Sequence, residues 1–255
     1  MTMALLNVTD LSIHFGGVKA VQNVSFSIEA GIVYAVIGPN GAGKTTLFNL
    51  ITGVYTPTSG TIELDGESIG GKSPNELATR GVARTFQNLQ ICMNMTALEN
   101  VMVGAHLRLD RNPLKAALRL PSLRRRDAEL RVEAAELMDF VGLKGYVEAR
   151  ADSMPYGALK RLEIARALAM KPRLIFLDEP AAGLNANETI EVDGLVRKVA
   201  DSGVTVVLVE HDMKMVMNLS DRILVLDYGK KLAEGTGAEV RKNPDVIAAY
   251  LGTQA

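Results

Sequence analysis

The chain has 255 residues, 47% hydrophobic and 22% charged, with a net charge of -1; this suits a large globular domain and excludes nucleic-acid binding by bulk positive charge. Its single cysteine, Cys92, excludes an internal disulfide and fits a reducing compartment. The apolar runs are short and end in charges, far from the ~20 residues of a membrane-spanning helix, and the opening "MTMALLNVTD" has no basic n-region. A cytoplasmic protein is expected, meeting any membrane through a partner.

In chain order, "LLNVTDLSIHF" and "AVQNVSFSIEAG" alternate short β-type runs with turns, and "IVYAVIG" holds a buried strand at 33–37. This predicts an antiparallel layer leading into a buried strand. After a glycine-rich turn, "KTTLFNLITG" reads as a helix closed by Gly53, and "PTSGTIELDGESI" as a hairpin punctuated by Gly60 and Asp65-Gly66. Residues 97–143 are mostly helical in pattern, with breaks at Pro113 and Pro121. Within 106–126, seven basic residues (Arg108, Arg111, Lys115, Arg119, Arg124, Arg125, Arg126) stand against one acid, Asp110. They read as a solvated helical face, with contact to lipid headgroups or an acidic partner as the alternative. The runs "RLIFLDE" and "VTVVLVEHD" flank a helical span at 187–201, and near-continuous apolar strands joined by helices predict a parallel sheet covered on both faces. "DRILVLDYGKKLAEGT" reads as a hairpin and "NPDVIAAYLG" as a short final helix. Met213, Met215 and Met217 read as packing at a helix start, and Cys92, with no Cys/His cluster beside it, as a packing residue.

The stretch "GPNGAGKTT", residues 38–46, fits G-x-x-x-x-G-K-[ST] through Gly38, Gly43, Lys44 and Thr45, with Pro39, Asn40, Gly41 and Ala42 between them and Thr46 following. A buried strand before it and a helix after it complete the context. The glycines let successive N–H groups face an anion, and the helix turns its positive end to the same spot. Lys44 can reach the β- and γ-phosphates, and Thr45 offers a hydroxyl to Mg2+. "LIFLDEP" then ends a strand with two acids. Asp178 is placed to hold Mg2+, usually through water, and Glu179 to orient or deprotonate an attacking water. A plain strand-end turn before Pro180 is the bland reading, outweighed by the P-loop in the same chain.

The order P-loop, Gln87, "SMPYGALKR", "LIFLDEP", "AAGLN" and His211 resembles the ATP-binding subunit of an ABC transporter over essentially the whole chain. The resemblance implies an α/β fold: a RecA-like P-loop NTPase core with an N-terminal antiparallel β layer and an inserted α-helical subdomain. A single ABC ATPase domain would span 5–252, with the helical and signature subdomain at about 88–165. Phe15 in "IHFGG" matches the aromatic that stacks on adenine, and Gln87 in "RTFQN" the glutamine that touches Mg2+ and senses the membrane partner. His211 in "VEHDM" matches the switch histidine that contacts the γ-phosphate. Asn185 stands in the loop that communicates across the dimer, where many relatives have Asp. ATP and Mg2+ are thereby implied, with Thr45, Gln87 and Asp178 on the metal and Glu179 and His211 as the catalytic pair. Alone, Phe15 would read as a core aromatic, Gln87 as a polar loop residue and His211 as a satisfied imidazole. His14 and His106 match no motif.

The signature turn of that family is usually written L-S-G-G-Q. Here it becomes Met154, Pro155, Tyr156, Gly157 and Ala158. Pro155 has neither hydroxyl nor N–H, so the usual serine donor to the γ-phosphate is missing, a bond worth about 1.5–3 kcal/mol. Proline suits the first turn of a helix, and the helix N-terminus with Gly157 can still face the phosphate. An altered site is expected, not a ruined one. Two ATPase domains of this family close head-to-tail, so Pro155 would face the partner's ATP, and an asymmetric pair follows.

"FGGVKAVQNVSF", "GVARTFQN", "LDEPAAGLN", "EHDMKMVM" and "NPDVIAAYLG" resemble the ATPases of branched-chain amino-acid importers. This implies a peripheral subunit on the cytoplasmic face of a bacterial inner membrane. Its partners would be two membrane permeases, a second non-identical ATPase and an extracytoplasmic solute-binding protein, with no nucleic acid. Importers of urea or another small solute use similar ATPases and stand as the alternative. So does a non-transport ABC ATPase, which usually has two fused domains or a long coiled coil. A GTPase or small-molecule kinase would also own a P-loop, but no N-K-x-D element is present.

Overall fold

The computed structural model describes residues 4–109 and 121–251, and two sheets organise them. The strands are β1 (Ala4–Phe15), β2 (Val18–Glu29), β3 (Val33–Ile37), β4 (Ser59–Leu64), β5 (Glu67–Ser68), β6 (Val82–Arg84), β7 (Leu174–Asp178), β8 (Thr205–Val209), β9 (Arg222–Asp227) and β10 (Lys230–Gly235). The antiparallel layer predicted at the N-terminus is a four-stranded sheet in the order β2-β1-β4-β5. The second sheet has the order β10-β9-β3-β8-β7-β6, parallel except for the β9–β10 hairpin.

Every residue of β3, β7 and β8 is buried, as their unbroken apolar runs require. The pleat sends alternate side chains to opposite faces. Val33, Ala35 and Ile37 join one core with Ile175, Leu177, Val206 and Leu208. Tyr34 and Val36 join the other with Phe176, Val207 and Val209, against the antiparallel sheet. There α1 (Lys44–Ile51) lays Leu47 and Phe48 into the second core, and Phe48 meets Phe176 edge-on at 5.1 Å. The helix ends at Thr52, with Gly53 at φ +75°, the closure predicted from sequence. α2 (Pro74–Thr79) follows, its N-terminus closed by a Ser73–Glu76 capping box.

Between β6 and β7 lie α3 (Ala97–Gly104), α4 (Pro121–Phe140) and α5 (Tyr156–Leu168). Val101, Ala134, Met138, Leu162 and Ala165 from these helices share the first core. Cys92 is half-buried, and its backbone is gripped by the buried Asn100 side chain, which accepts from Cys92 N at 2.8 Å and donates to Cys92 O at 3.0 Å. Pro121 is the first residue of α4, so the break falls before it. Pro113, Asp110, Arg111, Lys115, Arg119 and the Arg124 side chain lie outside the described residues. Of the remaining basic run, Arg108 turns inward onto Glu133 at 2.7 Å, while the exposed Arg125 and the half-buried Arg126 both pair with Glu129 at 3.2 Å.

The chain closes with α6 (Ala186–Asp201), α7 (Met213–Leu219), α8 (Gly237–Lys242) and α9 (Pro244–Leu251). Met215 is buried in α7, with Met213 and Met217 packed partly against the first core. No helix among the described residues is long and apolar enough to cross a membrane.

Candidate functional site

Because β3, β8, β7 and β6 are parallel neighbours, the loops after them emerge along one edge of the sheet, where open α/β folds place their ligands. The P-loop leaves β3. Gly38, at φ +153°, passes so close to β9 that a Cβ there would stand 2.1 Å from Leu226 O. Gly43, at φ +100°, enters α1 in a left-handed conformation, and a Cβ would stand 2.6 Å from Ala20 O. Only glycine meets both demands. No side chain caps α1, so its first N–H groups open toward the loop. Lys44 is buried, and its ammonium donates to Gly38 O at 2.7 Å and Pro39 O at 3.1 Å. Burial lowers its pKa, and the charge of Glu179 works against that shift.

The acids arrive from β7. Asp178 is buried, and Arg84 Nη2 donates to its Oδ2 at 3.1 Å. Arg84 also donates from Nη1 to Asn49 Oδ1 at 2.6 Å and Thr52 Oγ1 at 2.9 Å, so one guanidinium ties β6, β7 and α1 together. Glu179 follows in the left-handed region, at φ +50°, a conformation unusual for a residue with a Cβ and concentrated at functional sites. Its own N–H is held by Val209 O at 3.0 Å. The turn aims its carboxylate between two partners: His211 Nε2 donates to Oε1 at 2.8 Å, and Gln87 Nε2 donates to Oε2 at 3.3 Å. Loops from three adjacent strands thus converge on one carboxylate.

Sequence reading did not single out Glu210, which organises these loops. It is buried between Glu179 and His211, accepting from Ala181 N at 2.9 Å and His211 N at 3.2 Å, and burial raises its pKa above the ordinary carboxylate range. An acid ending the apolar run "VTVVLV" was the available signal. Arg84 was likewise missed.

A cleft of about 700 Å3 gathers Asn40, Gly41, Ala42, Gly43, Lys44, Thr45, Thr46, Glu179 and His211. Val18, Lys19, Gln22 and Tyr228 complete its rim, none of them foreseen from sequence. Phe15 stands outside this lining, at the end of β1, with its ring half exposed and edge-on to Tyr55 at 5.3 Å. The turn after it brings Gly17 and Val18 into the cleft. Thr45, Gln87 and Asp178 offer a hydroxyl, an amide and a carboxylate, hard oxygen donors that suit Mg2+, a cation that keeps several waters and shares its shell with phosphates. Among the described residues no cluster of three or more His, Cys, Asp or Glu could hold a metal.

The signature residues occupy a different place, at the N-terminus of α5, and none lines the cleft. Pro155 is the N-cap of the helix, one position ahead of the first turn expected for it, with φ -59° and ψ 152°. Its carbonyl accepts Leu159 N at 3.0 Å, and its lack of an N–H therefore breaks no helical bond. Met154 and Ala158 are buried, while Tyr156 is exposed and sits against Gly183 of "AAGLN". A Cβ on Gly157 would meet Glu188 Oε1 at 2.6 Å. Asn185 caps α6, its Oδ1 accepting Asn187 N at 3.0 Å and Glu188 N at 3.1 Å. From within α5, the buried Lys160 donates to Glu179 O at 3.4 Å.

An anion cradle with a carboxylate and an imidazole at its open side defines a phosphate-cleaving P-loop enzyme. Family comparison narrows the class: the ABC transporter model matches residues 21–182, and a model described as branched-chain amino acid ATP-binding cassette transporter matches residues 230–255. The chain belongs to the ATP-binding subunits of ABC transporters, ATPases that bind and hydrolyse nucleotide. It is 46% identical over 253 residues to BraF, a high-affinity branched-chain amino acid transport ATP-binding protein of Pseudomonas aeruginosa, covering 99% of both chains. Among solved structures it is similar to the ADP conformation of MJ1267, an ATP-binding cassette of an ABC transporter. The TM-score is 0.85 at 31% identity, over 98% of this chain and 100% of that one. A dimeric post-hydrolysis state of the cassette MJ0796, bound to ADP and Pi, matches with a TM-score of 0.75 at 25% identity, over 91% and 98% of the two chains.

Proposed function

We propose that this ATPase energises uptake of branched-chain amino acids through partner permeases. End-to-end similarity to BraF, which includes the separately matched 230–255 tail, carries the reading. The working complex would hold two permeases, a second non-identical ATPase and, through the permeases, an extracytoplasmic solute-binding protein. This chain would be peripheral on the cytoplasmic face of the membrane, a single domain over 5–252 with 88–165 as its helical insertion. The permease contact falls near Gln87, where Phe86, Gln90, Val103, His106 and Glu163 line a groove.

In the same reading, N–H groups of residues 41–46 and the Lys44 ammonium bind the β- and γ-phosphates, and Phe15 stacks on adenine. Thr45, Gln87 and Asp178 would hold Mg2+, which would neutralise phosphate charge. Glu179 orients a water and takes its proton as the water oxygen bonds to the γ-phosphorus. The bond from that phosphorus to the β–γ bridging oxygen breaks, leaving ADP and phosphate. His211 and Gln87 fix the Glu179 carboxylate, and His211 is placed to contact the γ-phosphate. Head-to-tail closure then sets Met154, Pro155, Tyr156, Gly157 and Ala158 against the partner's ATP, with Asn185 in the loop between the sites.

The test is purification of the tagged chain from its native membrane, followed by uptake assays in a strain lacking it. Co-purification with integral-membrane permeases and loss of leucine, isoleucine and valine uptake are expected. Recovery with nucleic acid or ribosomes, or loss of urea uptake alone, would sink the proposal.

A further inference from the structure

The turn that carries Glu179 is gripped by three consecutive residues where β8 ends. Val209 O accepts Glu179 N at 3.0 Å, Glu210 Oε1 accepts Ala181 N at 2.9 Å, and His211 Nε2 meets Glu179 Oε1 at 2.8 Å. Pro180 has no N–H to offer, so both backbone donors of the Glu179–Ala181 turn are held from β8. The second oxygen of Glu210 turns back to His211 N at 3.2 Å. One carboxylate thus fixes the backbone on either side of the Glu179–His211 contact. Glu179 itself sits at φ +50°, a conformation that persists only where its surroundings over-determine it. Glu210 is buried and does not line the nucleotide cleft, so it acts through these neighbours alone. No lysine or arginine offsets its charge. A buried carboxylate held only by N–H groups costs stability that an apolar residue would not, which argues for a role beyond packing.

We propose that Glu210 is a positioning residue for hydrolysis, holding the turn from which Glu179 addresses the attacking water and the backbone of the imidazole that steadies it. The inference rests on Glu179 being the base. Neither hydrogen-bond partner of Glu210 belongs to the P-loop, so the phosphate cradle keeps its shape when Glu210 is changed. A misplaced base slows the chemical step, whereas ground-state binding of ATP is spared.

Glu210→Gln isolates the claim, because size and burial stay while one of the two acceptor oxygens becomes a donor. ATP affinity of the purified chain is measured, together with kcat and KM of the assembled transporter with the partner ATPase's site blocked. Glu210→Gln should lower kcat by about tenfold to a hundredfold, the worth of one hydrogen bond to a charged acceptor. ATP affinity should stay within about twofold of parental. Glu210→Ala should be at least as slow. Parental kcat in Glu210→Gln, or ATP affinity that falls in step with kcat, overturns the proposal. The decisive comparison repeats Glu210→Gln in a Glu179→Gln background, where the carboxylate to be positioned is gone and the further loss should be under about twofold. An equal loss in both backgrounds marks a merely structural role and overturns it too. If Glu179→Gln alone turns over at the parental rate, the base has been misread and the positioning role falls with it; a parental Glu210→Gln beside a slow Glu179→Gln removes the positioning role alone.

Discussion

Replacing Arg84 by Met leaves the Asp178 carboxylate buried without its partner. Their side chains are 9% and 8% exposed and 3.1 Å apart, so solvent offers little screening. Breaking one side of such a buried pair costs about 3–5 kcal/mol, because the surviving charge cannot rehydrate. Asn49 and Thr52 lose a donor in the same step, at bonds of 2.6 and 2.9 Å. Against a typical total stability of about 5–15 kcal/mol this is a large fraction. At ~2–4 °C per kcal/mol for a chain of this size, the melting temperature should fall by roughly 6–20 °C. Urea denaturation followed by far-UV circular dichroism is the assay, since the chain has no tryptophan. Adding Asp178→Asn to the Arg84→Met background should recover part of the loss by removing the orphaned charge. A single-variant loss under about 1 kcal/mol, or a double variant as unstable as the sum of the singles, would refute this account of the pair.

Glu179→Gln should cut kcat by about 10²–10⁴ while ATP still binds, so that a closed dimer accumulates; turnover at the parental rate would mean that the base lies elsewhere. Pro155→Ser restores a hydroxyl at the signature turn and should change turnover at the partner's site, measured in the assembled transporter with each site blocked in turn. Unchanged turnover at both sites would remove the asymmetric pair. Burial raises the pKa of Glu163 above its ordinary 4.5, so the unfolded chain ionises first. Its contribution to stability is full below that value and declines as pH rises through the higher folded one. Glu163→Gln mimics the protonated form, and its stability relative to the parent should therefore climb as pH rises from 4.5; a flat difference between about pH 4 and 8 contradicts the burial argument.

What was legible from sequence is what the chain encodes locally. The P-loop depends on glycines a few residues apart, and the strand ahead of it is an unbroken apolar run. Asp178 and Glu179 were singled out because an apolar strand announces where it ends, and His211 only through the family resemblance of "VEHDM". Arg84 was not, because its partners Asn49, Thr52 and Asp178 come from distant segments and β6, at three residues, is too short to show a period. Pro155 falls between these cases. Its tolerance was anticipated, but for a first-turn position, whereas as N-cap it contributes only a carbonyl that Leu159 uses.

Lys160 reaches from α5 to the carbonyl of Glu179, and Gly157, at the start of that helix, packs directly on Glu188. The helix that would address the partner's nucleotide is thus tied to the turn carrying Glu179, the base of the proposed mechanism. In the proposed pair, displacement of either is felt by the other without passing through a permease.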